Sequence, residues 1–218
     1  AVTLIIYYGY VPMKYFLVYS LSILMLGCFS FQAAKKTSTS VDTIKSSNKN
    51  ETLDFKKVVA RIDVLQNGIP ISGGSGVIIK STLLTSSLDK VSAVNLVSVL
   101  TAKHVVELSL SLANINVVVV LQTAKYQSLR IIMNNDHDAA IIQFETTDVV
   151  QGVEMDNGKP KPLDDIYTAG YPLGMSLTIA FGIVNYRTKV NVRRGFADLW
   201  LCTAPSYPGN SGGGIFSR

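Results

Sequence analysis

The chain has 218 residues, 48% of them hydrophobic and only 16% charged. That is enough apolar material for one or two packed cores, and it excludes a chain disordered throughout. The net charge is +5, and much of it comes from Lys35, Lys36, Lys45, Lys49, Lys56 and Lys57. This stretch is rich in Ser and Thr and short of the aromatics that stack bases, so it reads as a solvated tether with no nucleic-acid partner. Two cysteines, Cys28 and Cys202, exclude a disulfide framework.

In chain order, Met13-Lys14 and the apolar run Tyr15 to Gly27 have the layout of a positive n-region and an h-region. The run is shorter than the ~20 residues of a membrane span. Residues 1–12 precede that methionine and read as upstream sequence. If they belong to the protein, they lengthen the apolar run and favour an N-terminal anchor. The run ends Leu24-Met25-Leu26-Gly27-Cys28, which resembles a bacterial lipobox and makes Cys28 a candidate for lipidation. An ordinary signal peptide is the alternative. Both readings of residues 1–34 place the protein outside the cytoplasm, in the periplasm or cell envelope or secreted, and lipidation would tether it to a membrane. Residues 35–54 are polar and basic and are expected to form a flexible linker.

From Phe55 the pattern becomes that of strands. Val58 to Val64 alternates with β-branched residues, and Asn67-Gly68 marks a tight turn. Gly73-Gly74-Ser75-Gly76-Val77-Ile78-Ile79 follows, glycine-led and then apolar. Residues 80–93 look like a long hairpin connection. Val94 to Leu100 is a strand running into Thr101-Ala102-Lys103-His104-Val105-Val106. Val117 to Leu121 and Leu129 to Met133 are two more strands, and Asp136-His137-Asp138 leads into the apolar Ala139 to Phe144. Residues 145–165 form a polar loop with Pro160 and Pro162, the natural boundary between two β-domains, 55–150 and 151–218. Ile166 to Gly174 is a strand and turn. Leu177 to Val190 carries Gly182, expected to mark a bulge or bend. Phe196 to Thr203 is a strand, with Cys202 expected as a buried thiol. The chain continues through Pro208-Gly209-Asn210-Ser211-Gly212-Gly213 into a strand from Gly214.

Three of these stretches carry chemistry. A serine hydroxyl is a weak nucleophile until a base takes its proton, and its attack on a carbonyl creates an oxyanion that needs aimed N–H donors. Pro208 to Gly213 resembles the nucleophile loop of chymotrypsin-fold serine proteases, with the proline and asparagine of the HtrA (Deg) branch. Thr101 to Val105 resembles the same family's histidine motif. Asp138-Ala139-Ala140-Ile141-Ile142 resembles its aspartate motif, with Asp136 as runner-up, and Gly74 to Ile79 resembles the glycine-led strand ahead of the histidine. His137 lacks the flanking residues of the histidine motif and is assigned to the surface. The order His104, Asp138, Ser211 is that of chymotrypsin.

The resemblance implies an all-β fold of two six-stranded antiparallel barrels, the second incomplete, because only a short stretch follows Ser211. An exposed sheet edge is expected there. It implies a serine endopeptidase acting on proteins or peptides through His104, Asp138 and Ser211, with the oxyanion held by the N–H groups of Gly209 and Ser211. A protease fold used only for binding is the alternative. No metal cluster or phosphate loop is present in the sequence, so no cofactor is implied. Pro205, Ser206 and Tyr207 fall where the family's substrate pocket has its base. None is acidic, which points to a small or medium apolar side chain at the cleavage site.

Overall fold

The computed structural model describes residues 2–3, 44–45, 52–84, 94–156, 160–192 and 195–217. The expected signal region, with Cys28, lies outside the described residues. Two short pairings come first in chain order. β1 (Val2–Thr3) lies beside the last strand of the chain, and β2 (Ile44–Lys45) pairs with β3 (Thr52–Leu53). The second pairing lies within the expected linker, whose polar composition did not announce it.

Asp54 accepts the backbone N–H of Lys56 and caps a single helical turn, α1 (Phe55–Val58). The chain then enters β4 (Val59–Gln66) and β5 (Ile69–Leu84), joined by a two-residue turn. Asn67 and Gly68 have φ of 50° and 81°, as the expected tight hairpin requires. β6 (Val94–Thr101), β7 (Ile115–Leu121), β8 (Ala124–Gln127), β9 (Arg130–Met133) and β10 (Ala140–Thr146) complete one antiparallel sheet of seven strands, ordered β8-β7-β4-β5-β6-β10-β9. The strand beyond the expected six is β8, a short return after Leu121 whose alternating polar residues carry little strand signal. Its Tyr126 stacks on Phe144 with centroids 4.5 Å apart.

The second sheet is antiparallel and smaller. It contains β11 (Asp165–Gly170), β12 (Thr178–Val192), β13 (Gly195–Cys202) and β14 (Gly214–Ser217), in the order β1-β14-β11-β12-β13. The edge expected to lie open at β14 is partly covered, because Val2 and Thr3 pair with Phe216 and Ile215. Gly182 was expected at a bulge or bend, and the register with β11 runs through it without a bulge. The irregularity lies between Val184 and Arg187, in the pairing with β13. Gly182 is needed for a close approach instead, since a Cβ there would come within 2.7 Å of Ala204 Cα.

Three apolar clusters sit under these sheets. The first fills the larger sheet with Ile62, Val64, Ile78, Val99, Val119, Ile142 and Phe144, all fully buried. The third lies inside the smaller sheet around Ile166, Val184 and Ile215, with Cys202 packed beside it. The second joins the two sheets, with Phe55, Val58, Val59 and Val77 meeting Ala169 and Phe216. Phe55 meets Phe216 edge to face at 4.8 Å. Each such large side chain contributes about 1.5–3 kcal/mol on full burial, against about 1 kcal/mol net for a hydrogen bond. Apolar burial therefore docks the sheets, and the hydrogen bonds between them set the geometry of what lies at the junction. Among the described residues, no helix is long and apolar enough to cross a membrane.

Candidate active site

The junction of the two sheets gathers His104, Asp138 and the loop 207–213. β6 ends at Thr101, which is fully buried, and the chain closes into one helical turn, α2 (Lys103–Val106). Val105 and Val106 are buried and anchor the turn in the first core, while His104 points the other way and is exposed. The helical turn was not expected from the sequence. It forms because apolar residues at 102, 105 and 106 share one face at helical spacing.

Asp138 reaches His104 from the loop just ahead of β10. Asn134 shapes the loop before it, as its Oδ1 accepts the N–H groups of Asp136 (2.7 Å) and His137 (2.9 Å). The result leaves Asp136 and His137 exposed and turns Asp138 inward to 7% exposure. Asp138, and not Asp136, therefore faces the imidazole. Its Oδ1 accepts the His104 backbone N–H at 2.8 Å, and its Oδ2 lies 2.6 Å from His104 Nδ1. An ionised carboxylate can only accept, so Nδ1 carries the proton and Nε2 is left as the basic nitrogen. Burial alone would raise the Asp138 pKa. Hydrogen bonds from the His104 side chain and backbone, the histidine's charge and the Lys103 backbone outweigh burial and lower it below the ordinary carboxylate value.

The third candidate, Ser211, is held against the first sheet by its backbone. Its carbonyl accepts the N–H of Ser75 on β5 at 2.8 Å. Ser75 is fully buried, and its own carbonyl accepts the Thr101 hydroxyl at 2.7 Å. Ser211 is thereby placed beside the strand end that leads to His104. Among the described residues, no hydrogen bond joins Ser211 Oγ to His104 Nε2. Pro205, Ser206 and Tyr207 are exposed on the loop leading from β13 to Ser211.

The peptide planes around Ser211 have a definite orientation. Pro208 C=O accepts the Leu173 N–H (2.7 Å), and Asn210 C=O accepts the Gly213 N–H (2.8 Å). A trans peptide points its N–H opposite to its C=O. The N–H groups of Gly209 and Ser211 therefore point away from these ties, and among the described residues neither has an acceptor. Between them the Asn210 N–H closes a turn onto Tyr207 C=O at 3.0 Å. Gly209 sits at φ 96°, and a Cβ there would come within 2.6 Å of Leu173 N and Tyr171 O. Two unpaired donors beside a serine can receive a developing oxyanion. The loop has a cost, because Asn210 Oδ1 is buried without a partner among the described residues, worth about 1–3 kcal/mol.

The sequence does not single out Asn134 or Leu173, and it places Thr101 only at the head of the histidine motif and Ser75 only in a glycine-led strand. The Asn134-Asn135-Asp136 run carries the composition of an Asx turn, which was the available signal for Asn134. Cys202, expected as a buried thiol, is only half-buried because it packs at the margin of the third cluster; burial raises its pKa, partly offset by the Ala204 backbone.

Residues 74–218, about two thirds of the chain, match the family model of the trypsin-like peptidase domain. Among solved structures, the chain is similar to the serine endoprotease from Yersinia pestis, at 20% identity over 74% of this chain and 50% of that one, with a TM-score of 0.54. It is also similar to the active form of the Rv3671c protease from M. tuberculosis, at 19% identity over 73% of this chain and 65% of that one (TM-score 0.53). The inactive form of that protease gives 18% identity over 73% and 72% (TM-score 0.52). At these identities the likeness is one of fold. None of the curated proteins matches the sequence.

Proposed function

Since the chain belongs to the trypsin-like peptidase domain family, we propose that it is a serine endopeptidase working through His104, Asp138 and Ser211. The observation that carries this is the two-point hold of Asp138 on His104, 2.8 Å to the backbone N–H and 2.6 Å to Nδ1. It fixes the tautomer that leaves Nε2 free to accept a proton.

In the proposed cycle Ser211 Oγ attacks the carbonyl carbon of the scissile peptide bond while His104 Nε2 takes the hydroxyl proton. Asp138 steadies the imidazolium that results, and the Gly209 and Ser211 N–H groups receive the oxyanion. The C–N bond then breaks, His104 returns the proton to the leaving amine, and the acyl group stays on Oγ. A water molecule, deprotonated by His104, attacks the acyl carbon and releases the carboxylic acid and the free serine.

The substrates are proteins or peptides, with a small or medium apolar side chain favoured by the non-acidic Pro205, Ser206 and Tyr207. The n- and h-region pattern at 13–27 supports work outside the cytoplasm, in processing or quality control of proteins, with lipidation of Cys28 as the route to a membrane tether.

The test is digestion of an unfolded protein, with the new termini read by mass spectrometry. Cleavage by the wild type, absent from Ser211→Ala and clustered after apolar residues, is the expected result. That no hydrogen bond joins Ser211 Oγ to His104 Nε2 among the described residues favours a second reading, a protease fold that binds without cleaving. Intact substrate retained by both proteins would establish that reading instead.

A further inference from the structure

The loop that carries Gly209 and Ser211 is bolted from the opposite sheet by one buried side chain. Ser75 is 0% exposed, on β5, and lies 134 residues from the loop in sequence. Its hydroxyl accepts the Tyr171 N–H at 2.8 Å and donates to Gly209 C=O at 2.7 Å. Its backbone N–H donates to Ser211 C=O at 2.8 Å. One residue therefore holds the carbonyls on both sides of Asn210. Thr101 in turn holds Ser75 through its carbonyl.

The second clamp comes from the turn that Tyr171 begins. Pro172–Gly174 is a tight turn in which Leu173 takes a left-handed backbone, φ 53° and ψ 25°, with its side chain 66% exposed. Such a conformation is uncommon for a bulky residue and persists only where its surroundings hold it. Here it aims the Leu173 N–H at Pro208 C=O, the tie that turns the Gly209 N–H outward. The Ser75 hydroxyl joins the two clamps, because it grips Tyr171 at the head of this turn and Gly209 at the loop with the same oxygen.

We propose that Ser75 is a positioning residue for the oxyanion donors. Its hydroxyl couples the 171–174 turn to the 208–211 loop and holds the Gly209–Asn210 plane, which links the two planes that present the Gly209 and Ser211 N–H groups. The proposal rests on the endopeptidase reading for its effect on rate, but its structural claim stands apart from activity. Without the hydroxyl, the Gly209 carbonyl loses its donor and the Tyr171 N–H loses its acceptor. The Gly209–Asn210 plane is then left with the Asn210 N–H tie to Tyr207 alone, and the Pro208–Gly209 plane depends on a Leu173 tie whose turn has lost its anchor at Tyr171, so the donors lose their common aim. The base is untouched, because His104 and Asp138 hold each other without Ser75.

The experiment compares wild type with Ser75→Ala, and with Ser75→Cys, which keeps a side chain of similar shape but only a weak donor. Turnover of a peptide substrate should fall about 10- to 100-fold in Ser75→Ala, less than the ~10²–10³-fold of losing a donor outright. Its KM should stay within about twofold, and the pH profile should keep its midpoint because the histidine pair is intact. Ser75→Cys should fall between. Amide hydrogen exchange at Tyr171 and Asn210 should quicken by about tenfold or more while that at Val99 and Ile142 stays slow.

Unchanged exchange at Tyr171 and Asn210 would overturn the proposal even if the wild type proved inactive. Faster exchange throughout the core would overturn it too, as it would mean a general loss of stability. An active wild type with unaltered turnover in Ser75→Ala would overturn it independently.

Discussion

Asp138→Asn separates two accounts of what Asp138 does. If the carboxylate acts only as a charge beside an imidazole that is 42% exposed, its removal should cost what a screened ion pair costs. That is at most about 1 kcal/mol, or roughly fivefold in rate. If it fixes the tautomer, the cost is far larger. In the variant the asparagine Oδ1 accepts the His104 backbone N–H, as the 2.8 Å contact requires, and the Nδ2 amide group then opposes Nδ1. Reversing the amide sets its NH₂ against the backbone N–H, donor to donor, so that escape is closed. Nδ1 must become the acceptor and Nε2 takes the proton, which disables the base. The expected loss is about 10⁴-fold, or roughly 5.4 kcal/mol in activation free energy. The assay is the second-order rate of labelling by a fluorophosphonate probe, which needs no knowledge of the substrate. Asp136→Asn serves as control and should label like the wild type. A loss of fivefold or less in Asp138→Asn, or an equal loss in Asp136→Asn, would refute the tautomer argument.

Stability should respond to pH through the same pair. The folded-state pKa of Asp138 is lowered below its ordinary value of about 3.9, so its contribution is present above that value and is lost as pH falls through the lower folded value. The melting temperatures of wild type and Asp138→Asn should therefore differ at pH 7 and converge below about pH 4; a gap that stays constant down to pH 3 would contradict the assignment. Gly182→Ala should destabilise by about 1–3 kcal/mol, because the new methyl meets the backbone of Ala204. Denaturant unfolding measures this, and an unchanged midpoint would show that the approach of Ala204 is not a constraint.

The parts of the fold legible in the sequence are those encoded by local pattern. Asn67-Gly68 specifies its hairpin by its need for positive φ, and the β-branched runs at 58–64, 94–100 and 117–121 locate strands because their apolar residues have one buried face to fill. His104 and Asp138 each sit in a short motif, but alone Asp138 reads as a turn residue with Asp136 as a rival, and it is the order of the motifs that picks it out. The short return β8 escaped because four residues of mixed polarity have no period to read; Tyr126 belongs there only through its stack on Phe144. Gly182 was read as a bulge or bend, and no bulge is there, because a glycine inside a strand does not say whether its own backbone departs from the ladder or a neighbour's comes close. The clamps on the 208–211 loop lay furthest from view. A buried serine and a left-handed leucine act through bonds that span many residues, and nothing in the neighbourhood of Ser75 names its partners at 171, 209 and 211. Three separate motifs could place the candidate triad in one chain, but the way the oxyanion donors are aimed emerged only from the folded chain.

The central claim, that Ser211 is an activated nucleophile, is tested most directly by reacting the folded protein with a fluorophosphonate probe and locating the adduct by peptide mass spectrometry. The account predicts a single stoichiometric adduct on Ser211, lost in Ser211→Ala and greatly slowed in His104→Ala. A folded protein that takes no label, or takes it equally at other serines and without need of His104, would contradict it.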